Sequence, residues 1–142
     1  KNLFNFNKNN LTIDLGTGAG LPGVLLSIIG YKNLHLVEKS PKKSAFLESC
    51  KLRLGLDFTI HNRPLAEVSL SNVQYVVARA FAPISKILNL TKQMVTNQTH
   101  YFLLKWKSYL EELKLVNNKS FSWRDFPSIT SDESRIIVLQ AR

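Results

Sequence analysis

The chain has 142 residues, of which 44% are hydrophobic and 10% aromatic, enough for one compact domain with a buried core and too few for two. Nineteen Lys and Arg against 10 Asp and Glu leave a net charge of +9, which favours a polyanionic partner, although a basic solvated surface would give the same figure. Cys50 is alone, Val24 to Ile29 is too short an apolar run to cross a bilayer, and residues 1–10 lack the apolar run of a secretory signal. A disulfide scaffold and a membrane span are therefore excluded, and a soluble cytoplasmic protein with no membrane association is expected.

Leu11 to Leu15 reads as a short buried strand running into a glycine loop, and Pro22-Gly23 lead into a short helix, Val24 to Ile29, closed by Gly30. Leu34 to Glu38 is a second strand. The clearest helix follows, with Ser40 as N-cap, Pro41 in the first helical position and Gly55 as the stop. Phe46, Cys50 and Leu54 recur at i, i+4 and i+8, which predicts an apolar stripe against the core and makes Cys50 a core thiol. Asp57–His61 and Tyr75–Ala78 read as further strands. Pro83 opens a helix whose periodic face is Ile84, Ile87, Leu88 and Val95. A fifth strand is predicted at Tyr101–Leu104, a helix at Ser108–Val116, and two successive strands at Ser120–Phe126 and Ile136–Gln140. Alternating strands and helices imply right-handed crossovers and a mostly parallel sheet, and the last two strands a closing antiparallel hairpin. That ending resembles the seven-stranded Rossmann-like class I methyltransferase sheet more than a dinucleotide-binding fold.

The strongest local signal is Asp14-Leu15-Gly16-Thr17-Gly18-Ala19-Gly20. Glycines at alternate positions let the backbone take positive φ and approach a ligand without a Cβ in the way. Asp14 can accept from the loop's own N–H groups or, through water, from a ligand's ammonium. Glu38 ends the next strand, where a carboxylate can take both ribose hydroxyls of an adenosine. Gly18-x-Gly20-x-x-Gly23 with Glu38 equally satisfies a dinucleotide fingerprint. Asp14 argues against that ligand, because a pyrophosphate would be repelled by it and the cationic methionine end of S-adenosylmethionine attracted. A glycine turn without a ligand is the remaining reading.

The extended loop, Asp14 to Gly23 with its Leu21-Pro22-Gly23 tail, resembles that of the bacterial 16S rRNA guanine-N7 methyltransferases, also called glucose-inhibited division protein B. Leu36-Val37-Glu38, Lys42-Lys43 with Phe46-Leu47, Arg63, Ala78-Arg79-Ala80-Phe81-Ala82, Leu103-Leu104-Lys105 and Ser134-Arg135-Ile136-Ile137 match in order, so the similarity covers nearly the whole chain from Leu11. The resemblance implies an S-adenosylmethionine-dependent methyl transfer to guanine N7, with 16S rRNA or the small ribosomal subunit as partner. It implies Gly16 and Leu21 at the cofactor, beside Asp14, Gly18 and Gly20 of the loop, with Glu38 near the ribose. Pro64 and Leu65 would stand where the family's backbone pair brackets the adenine, and Arg79 would face both cofactor and substrate as the catalytic residue. Lys42, Lys43 and Lys105 are the candidate RNA-binding residues. The chain departs from the family at Pro64-Leu65, which displaces an acid to Glu67, at Trp106, where a Gly is common, and at its short start before the glycine loop.

Guanine N7 offers an in-plane lone pair, so its methylation needs no general base, and no nucleophile–base pair is evident. Arg79 would orient the base or the cofactor carboxylate; a phosphate-positioning or capping arginine is the plainer reading. His35, His61 and His100 lack metal-ligand spacing, so no metal is expected. Lys39, Lys42, Lys43, Lys51 and Arg53 form an RNA-facing patch or a solvated helix face. Trp106, Trp123 and Phe126 are candidates for base stacking or for packing at the edge of the core. A methyltransferase acting on a small molecule and a catalytically weak RNA-binding remnant are the alternatives. With only Leu3, Phe4 and Phe6 apolar before Leu11, an exposed apolar patch beside the glycine loop is expected, covered by a partner, a second copy or further residues.

Overall fold

The structure, a computed structural model, describes residues 6–116, 119–129 and 131–142. In chain order the elements are β1 (Thr12–Leu15), α1 (Gly23–Ile28), β2 (Leu34–Val37), α2 (Pro41–Leu54), β3 (Thr59–His61), β4 (Val73–Arg79), α3 (Ile84–Thr91), β5 (Val95–Trp106), α4 (Tyr109–Lys114), β6 (Phe121–Pro127) and β7 (Ser134–Ala141), with a 3-10 turn at Leu65–Glu67. The seven strands form one sheet in the order β3-β2-β1-β4-β5-β7-β6. Strands β1 to β5 pair in parallel, while β7 runs antiparallel to both β5 and β6. The mostly parallel sheet with a terminal hairpin is the architecture that the alternation predicts.

The order reverses between β1 and β4, so the loops at the carboxyl ends of these two strands open a crevice at the switch point. Strand alternation then divides the sheet into two faces. On one face Ile13, Val76, Leu103 and Ile137 pack under Ile84 and Ile87 of α3 and Leu113 of α4, a continuous dry core. On the other, α1 and α2 cover β1, β2 and β3 through Val24, Leu34, Leu36, Leu47 and Phe58. Beyond β1 no helix among the described residues covers that second face. A groove of about 580 Å³ runs over it, lined by Leu21 and Leu25 beside the glycine loop and by Tyr75, Val77, Phe102 and Leu104 of β4 and β5. Phe6 packs into it, its ring 5.3 Å from Phe102 and 5.9 Å from Tyr75. Beside the loop Leu21 and Leu25 are exposed on this apolar groove; Leu3 and Phe4, on which the expected patch also depended, lie outside the described residues.

Helix α2 follows its sequence signals closely. Ser40 Oγ accepts from Lys43 N, Pro41 occupies the first turn, and Gly55 adopts φ 60° to end it. Its buried face differs from expectation. Phe46 and Leu54 point to solvent and Cys50 is half-buried, whereas Ser44 and Leu47 face the sheet. The reason lies in the docking: Ser44 Oγ donates to Glu38 O at 3.1 Å, which turns the helix about its axis and puts Leu47 inward. Val95 likewise belongs to β5 and not to the periodic face of α3. The chain turns after Thr91, Met94 N donates to Thr91 O, and Val73 N donates to Met94 O, which starts the strand pairing there. β5 is also longer than its apolar centre suggested, because polar residues such as Thr99, whose hydroxyl donates to Val73 O, extend it.

Candidate active site

The glycine loop leaves β1 at Leu15 and is sewn down by backbone and carboxylate bonds. Gly16, Gly18 and Gly20 take φ values of 63°, 58° and 94°, and the Leu21–Pro22 peptide is cis. Thr17 N donates to Val37 O at 3.1 Å and Gly20 N to Thr17 O at 2.9 Å. A Cβ on Gly16 would collide with the Phe81 ring from the segment after β4, so the two loops at the switch point touch. A Cβ on Gly18 would meet only Gly16 O, at 3.9 Å, so this glycine borders open space.

Two acids hold the loop from opposite sides. Asp14 is fully buried beneath it and accepts from Gly23 N at 2.8 Å through Oδ2, which leaves no room for a side chain at Gly23. The Thr17 hydroxyl stands beside this carboxylate without completing a hydrogen bond to it. Asp14 Oδ1 and Thr17 Oγ1 thus have no partner among the described residues, a costly state for buried polar atoms. Burial pushes the Asp14 carboxyl up to about 6, against the opposing influence of the Thr17 hydroxyl, the Gly23 amide and the Arg79 charge. Glu38 closes the other side. Its Oε2 accepts from Gly18 N and its Oε1 from Ser40 N, both at 2.9 Å, so one carboxylate spans the glycine loop and the start of α2. Asn62 secures the same corner by donating from Nδ2 to Glu38 O.

Arg79 is exposed at the last position of β4, lines the apolar groove, and makes no ion pair among the described residues. The next residue, Ala80, takes φ 50°, a left-handed conformation that a non-glycine residue adopts at some cost. What holds this turn is Lys105. Expected on the RNA-facing surface, Lys105 is buried instead: its ammonium donates to Ala82 O and pairs with Glu112 Oε2 at 2.9 Å. Glu112 Oε2 in turn accepts from Ile84 N at 2.8 Å. The physical reason is alternation along β5, which sends Lys105 to the closed face with Tyr101 and Leu103, where only a paired ammonium is tolerated.

The other predicted residues are placed as follows. Leu21 lies partly exposed on the groove. Pro64 is exposed and leads into the 3-10 turn, whereas Leu65 is buried in the core. Lys42 and Lys43 are exposed on the first turn of α2, but Lys51 folds back with its ammonium 5.8 Å from the Phe58 ring. His35 Nδ1 lies 2.9 Å from His61 Nε2, and burial keeps both imidazoles below their ordinary value. Among the described residues no group of three or more His, Cys, Asp or Glu side chains is placed to hold a metal ion, and no helix is long and apolar enough to cross a membrane. Thr17, Phe81 and Glu112 were not singled out by sequence reasoning. Thr17 was findable as the hydroxyl inside the glycine run, but nothing local marks Glu112 as the partner of Lys105.

With this geometry in place, comparison with known proteins is informative. The family model described as rRNA small subunit methyltransferase G matches residues 2–131. The ribosomal RNA small subunit methyltransferase G of Orientia tsutsugamushi (strain Ikeda) is 38% identical over 136 residues, covering 94% of this chain and 67% of that protein. The chain thus spans about two thirds of the length of the curated relatives it matches. Among solved structures, an rRNA methylase from Streptococcus thermophilus superposes with a TM-score of 0.72 at 9% identity, over 95% of this chain and 88% of that one. The magnesium protoporphyrin IX methyltransferase of Synechocystis PCC 6803 with bound SAM gives 0.68 at 16% identity, over 96% of this chain and 72% of that one. At such identities the likeness is one of fold, and the fold is that of the class I S-adenosylmethionine-dependent methyltransferases. Its occurrence in enzymes of an RNA and of a porphyrin leaves the substrate to be argued from sequence kinship, and by that kinship the chain belongs to the rRNA small subunit methyltransferase G family.

Proposed function

We propose that the chain is a single methyltransferase domain that acts in the cytoplasm on N7 of a guanine in small-subunit rRNA, with S-adenosylmethionine as methyl donor. The observation that carries the reading is the cradle itself: a positive-φ glycine facing open space at Gly18, with Glu38 at its edge and the unpartnered Asp14 Oδ1 and Thr17 Oγ1 beneath it. Gly16, Gly18, Gly20 and Leu21 would line the methionine end, with Asp14 offering its charge from below through an ordered water. Glu38 retains lone pairs beyond those used by Gly18 N and Ser40 N, so ribose hydroxyls can donate to it without breaking the loop. The backbone of Pro64 and Leu65 would border the adenine.

Bound there, S-adenosylmethionine supplies an electrophilic methyl group on a sulfonium. The remaining chemistry asks little of the protein. The guanine N7 lone pair lies in the plane of the base, so the residues need only position the base in line and exclude water, and no side chain has to remove a proton. Arg79, free of other partners among the described residues, would orient the base or the cofactor carboxylate by a charge-assisted hydrogen bond. Lys105 and Glu112 would keep the turn after Arg79 in place. Lys42 and Lys43 would meet phosphates at the mouth of the crevice.

Calorimetry tests the cradle. S-adenosylhomocysteine should bind, and Gly18→Val should abolish binding, since a side chain there enters the ligand's space; a β-branched residue is also strained at φ 58°, so circular dichroism in parallel identifies a folded variant. Undiminished binding by a folded Gly18→Val protein, or a clear preference for NAD, would remove the basis of this reading.

A further inference from the structure

The outward face of α2 has a composition that neither the cofactor cradle nor the core explains. At 100° per residue, Lys42, Phe46, Ser49 and Arg53 fall within an arc of about 60°, diametrically opposite the buried Ser44 and Leu47. The arc lies on the outer side of the helix, with Lys42, Phe46 and Arg53 exposed and Ser49 half-buried. Phe46 lies in it with half its surface in water, 51% exposed. One exposed aromatic is unremarkable on its own. Here it stands between cations, and Lys42, Lys43 and Arg53 make no ion pair among the described residues. Glu48, the acid of this helix, projects from its flank. Lys51 lies on the opposite side of the helix from this stripe, its ammonium 5.8 Å from the Phe58 ring.

We propose that this stripe is a docking track for single-stranded RNA, with an unpaired base stacked on Phe46 and phosphates held by Lys42 and Arg53 on either side. The inference rests on the proposed RNA substrate and extends it to a surface outside the crevice. Lys42 and Arg53 are eleven positions apart, about 16 Å along a helix axis, which spans a few nucleotides. Stacking needs an exposed base face, which a duplex does not present, so the occupant is an unpaired strand and not an A-form helix. The track also begins in the right place. Glu38 Oε1 accepts from Ser40 N at the head of α2, so the same carboxylate that braces the glycine loop braces the start of the track. Strand entering along α2 is thereby delivered to the carboxyl ends of the parallel strands.

Fluorescence anisotropy with a short labelled oligo(A), at several salt concentrations, tests the track. Phe46→Ala should weaken binding roughly tenfold and Phe46→Trp should restore it, as expected for base–aromatic stacking. Arg53→Glu should weaken binding and flatten the slope of log affinity against log salt by about 0.7 or more, the loss of at least one phosphate contact. A duplex of the same length should be insensitive to Phe46→Ala. Affinity for S-adenosylhomocysteine, measured in parallel, should not change in any of these proteins. Oligo(A) binding that is indifferent to both substitutions, or an equal loss on duplex, would overturn the track. If the homocysteine product failed to bind at all while the Phe46 effect persisted, the methyltransferase reading would fall and the track would stand.

Discussion

The two faces of the sheet are built from the same strands and meet different fates. In β4 and β5 the side chains that point to α3 and α4, such as Val76 and Leu103, have no exposed surface. Their immediate neighbours Val77 and Phe102 point the other way, into a groove of about 580 Å³ that no described helix covers. Both sets are apolar, as expected of parallel strands that are buried on two sides. The described chain thus supplies cover for one whole face and for only the β1–β3 part of the other. What differs between the faces is not the strands but the helices available to them.

Matched truncations on one strand measure this difference directly. Leu103→Ala should cost about 3 kcal/mol, because the cavity it leaves is enclosed on all sides. Phe102→Ala removes a larger side chain, which packs against Phe6, Tyr75 and His100 but lies under no helix among the described residues, and should cost less, about 2 kcal/mol. Urea unfolding with unchanged m-values would give both numbers. Equal losses would mean that the groove is filled in solution.

Where α1 does cover the second face, over β1, the seal is tested by the pH dependence of stability. The Asp14 carboxyl titrates near 6 in the folded chain against an ordinary 3.8. Between these values the folded state holds the proton more tightly than the unfolded one, so stability falls as pH rises. The contribution is fully present below about pH 4 and lost above about pH 6, and amounts to at most about 3 kcal/mol. Asp14→Asn, whose amide oxygen can still accept from Gly23 N, should flatten this part of the profile. Parallel profiles for the two proteins would show that water reaches Asp14, and that the cover over β1 is no tighter than elsewhere on this face.

The unequal cover also bears on association. Leu25, 52% exposed on α1, borders the open groove beside the glycine loop. The 142-residue chain is expected to self-associate through this face, and Leu25→Lys to reduce association at little cost in stability. Light scattering over a concentration series checks this, and a monodisperse unsubstituted chain would contradict it.

These contrasts also show what could be read in advance. The strand–helix alternation and the Ser40–Gly55 limits of α2 were legible because each depends on neighbours close in sequence, and the approach of Glu38 to Gly18, 20 positions away, because parallel pairing of β1 with β2 brings the end of the second strand beside the loop that follows the first. The failures depend on rotation and on distant partners. The Phe46–Cys50–Leu54 stripe has good helical spacing, yet a hydrogen bond from Ser44 to Glu38 O sets which side of the helix docks. Lys105 reads as one more surface cation until the fold brings Glu112 from α4 against it. Val95 fits a helical period but is captured by pairing with Val73 on β4. Periodicity identifies a face; it does not say what the face will meet.

The smallest effect on stability is expected where the open face reaches the crevice. By alternation Tyr75, Val77 and Arg79 share the groove side of β4, and Arg79 is its exposed last residue. An exposed side chain without an ion pair carries little of the fold, so Arg79→Ala should leave the melting temperature within a few degrees. It should still slow methyl transfer to rRNA roughly tenfold or more, the loss of one well-placed charge-assisted contact. Arg79→Lys keeps the charge but not the planar fork, and should recover only part of the rate if the contact is bidentate. Separate measurement of kcat and KM sharpens the assignment. A fall in kcat with KM unchanged places the guanidinium at the reacting base or cofactor, while a rise in KM alone makes it one more phosphate contact. A large drop in stability with normal specific activity would move Arg79 from the crevice into the scaffold, and the open face would then carry structure up to its last residue.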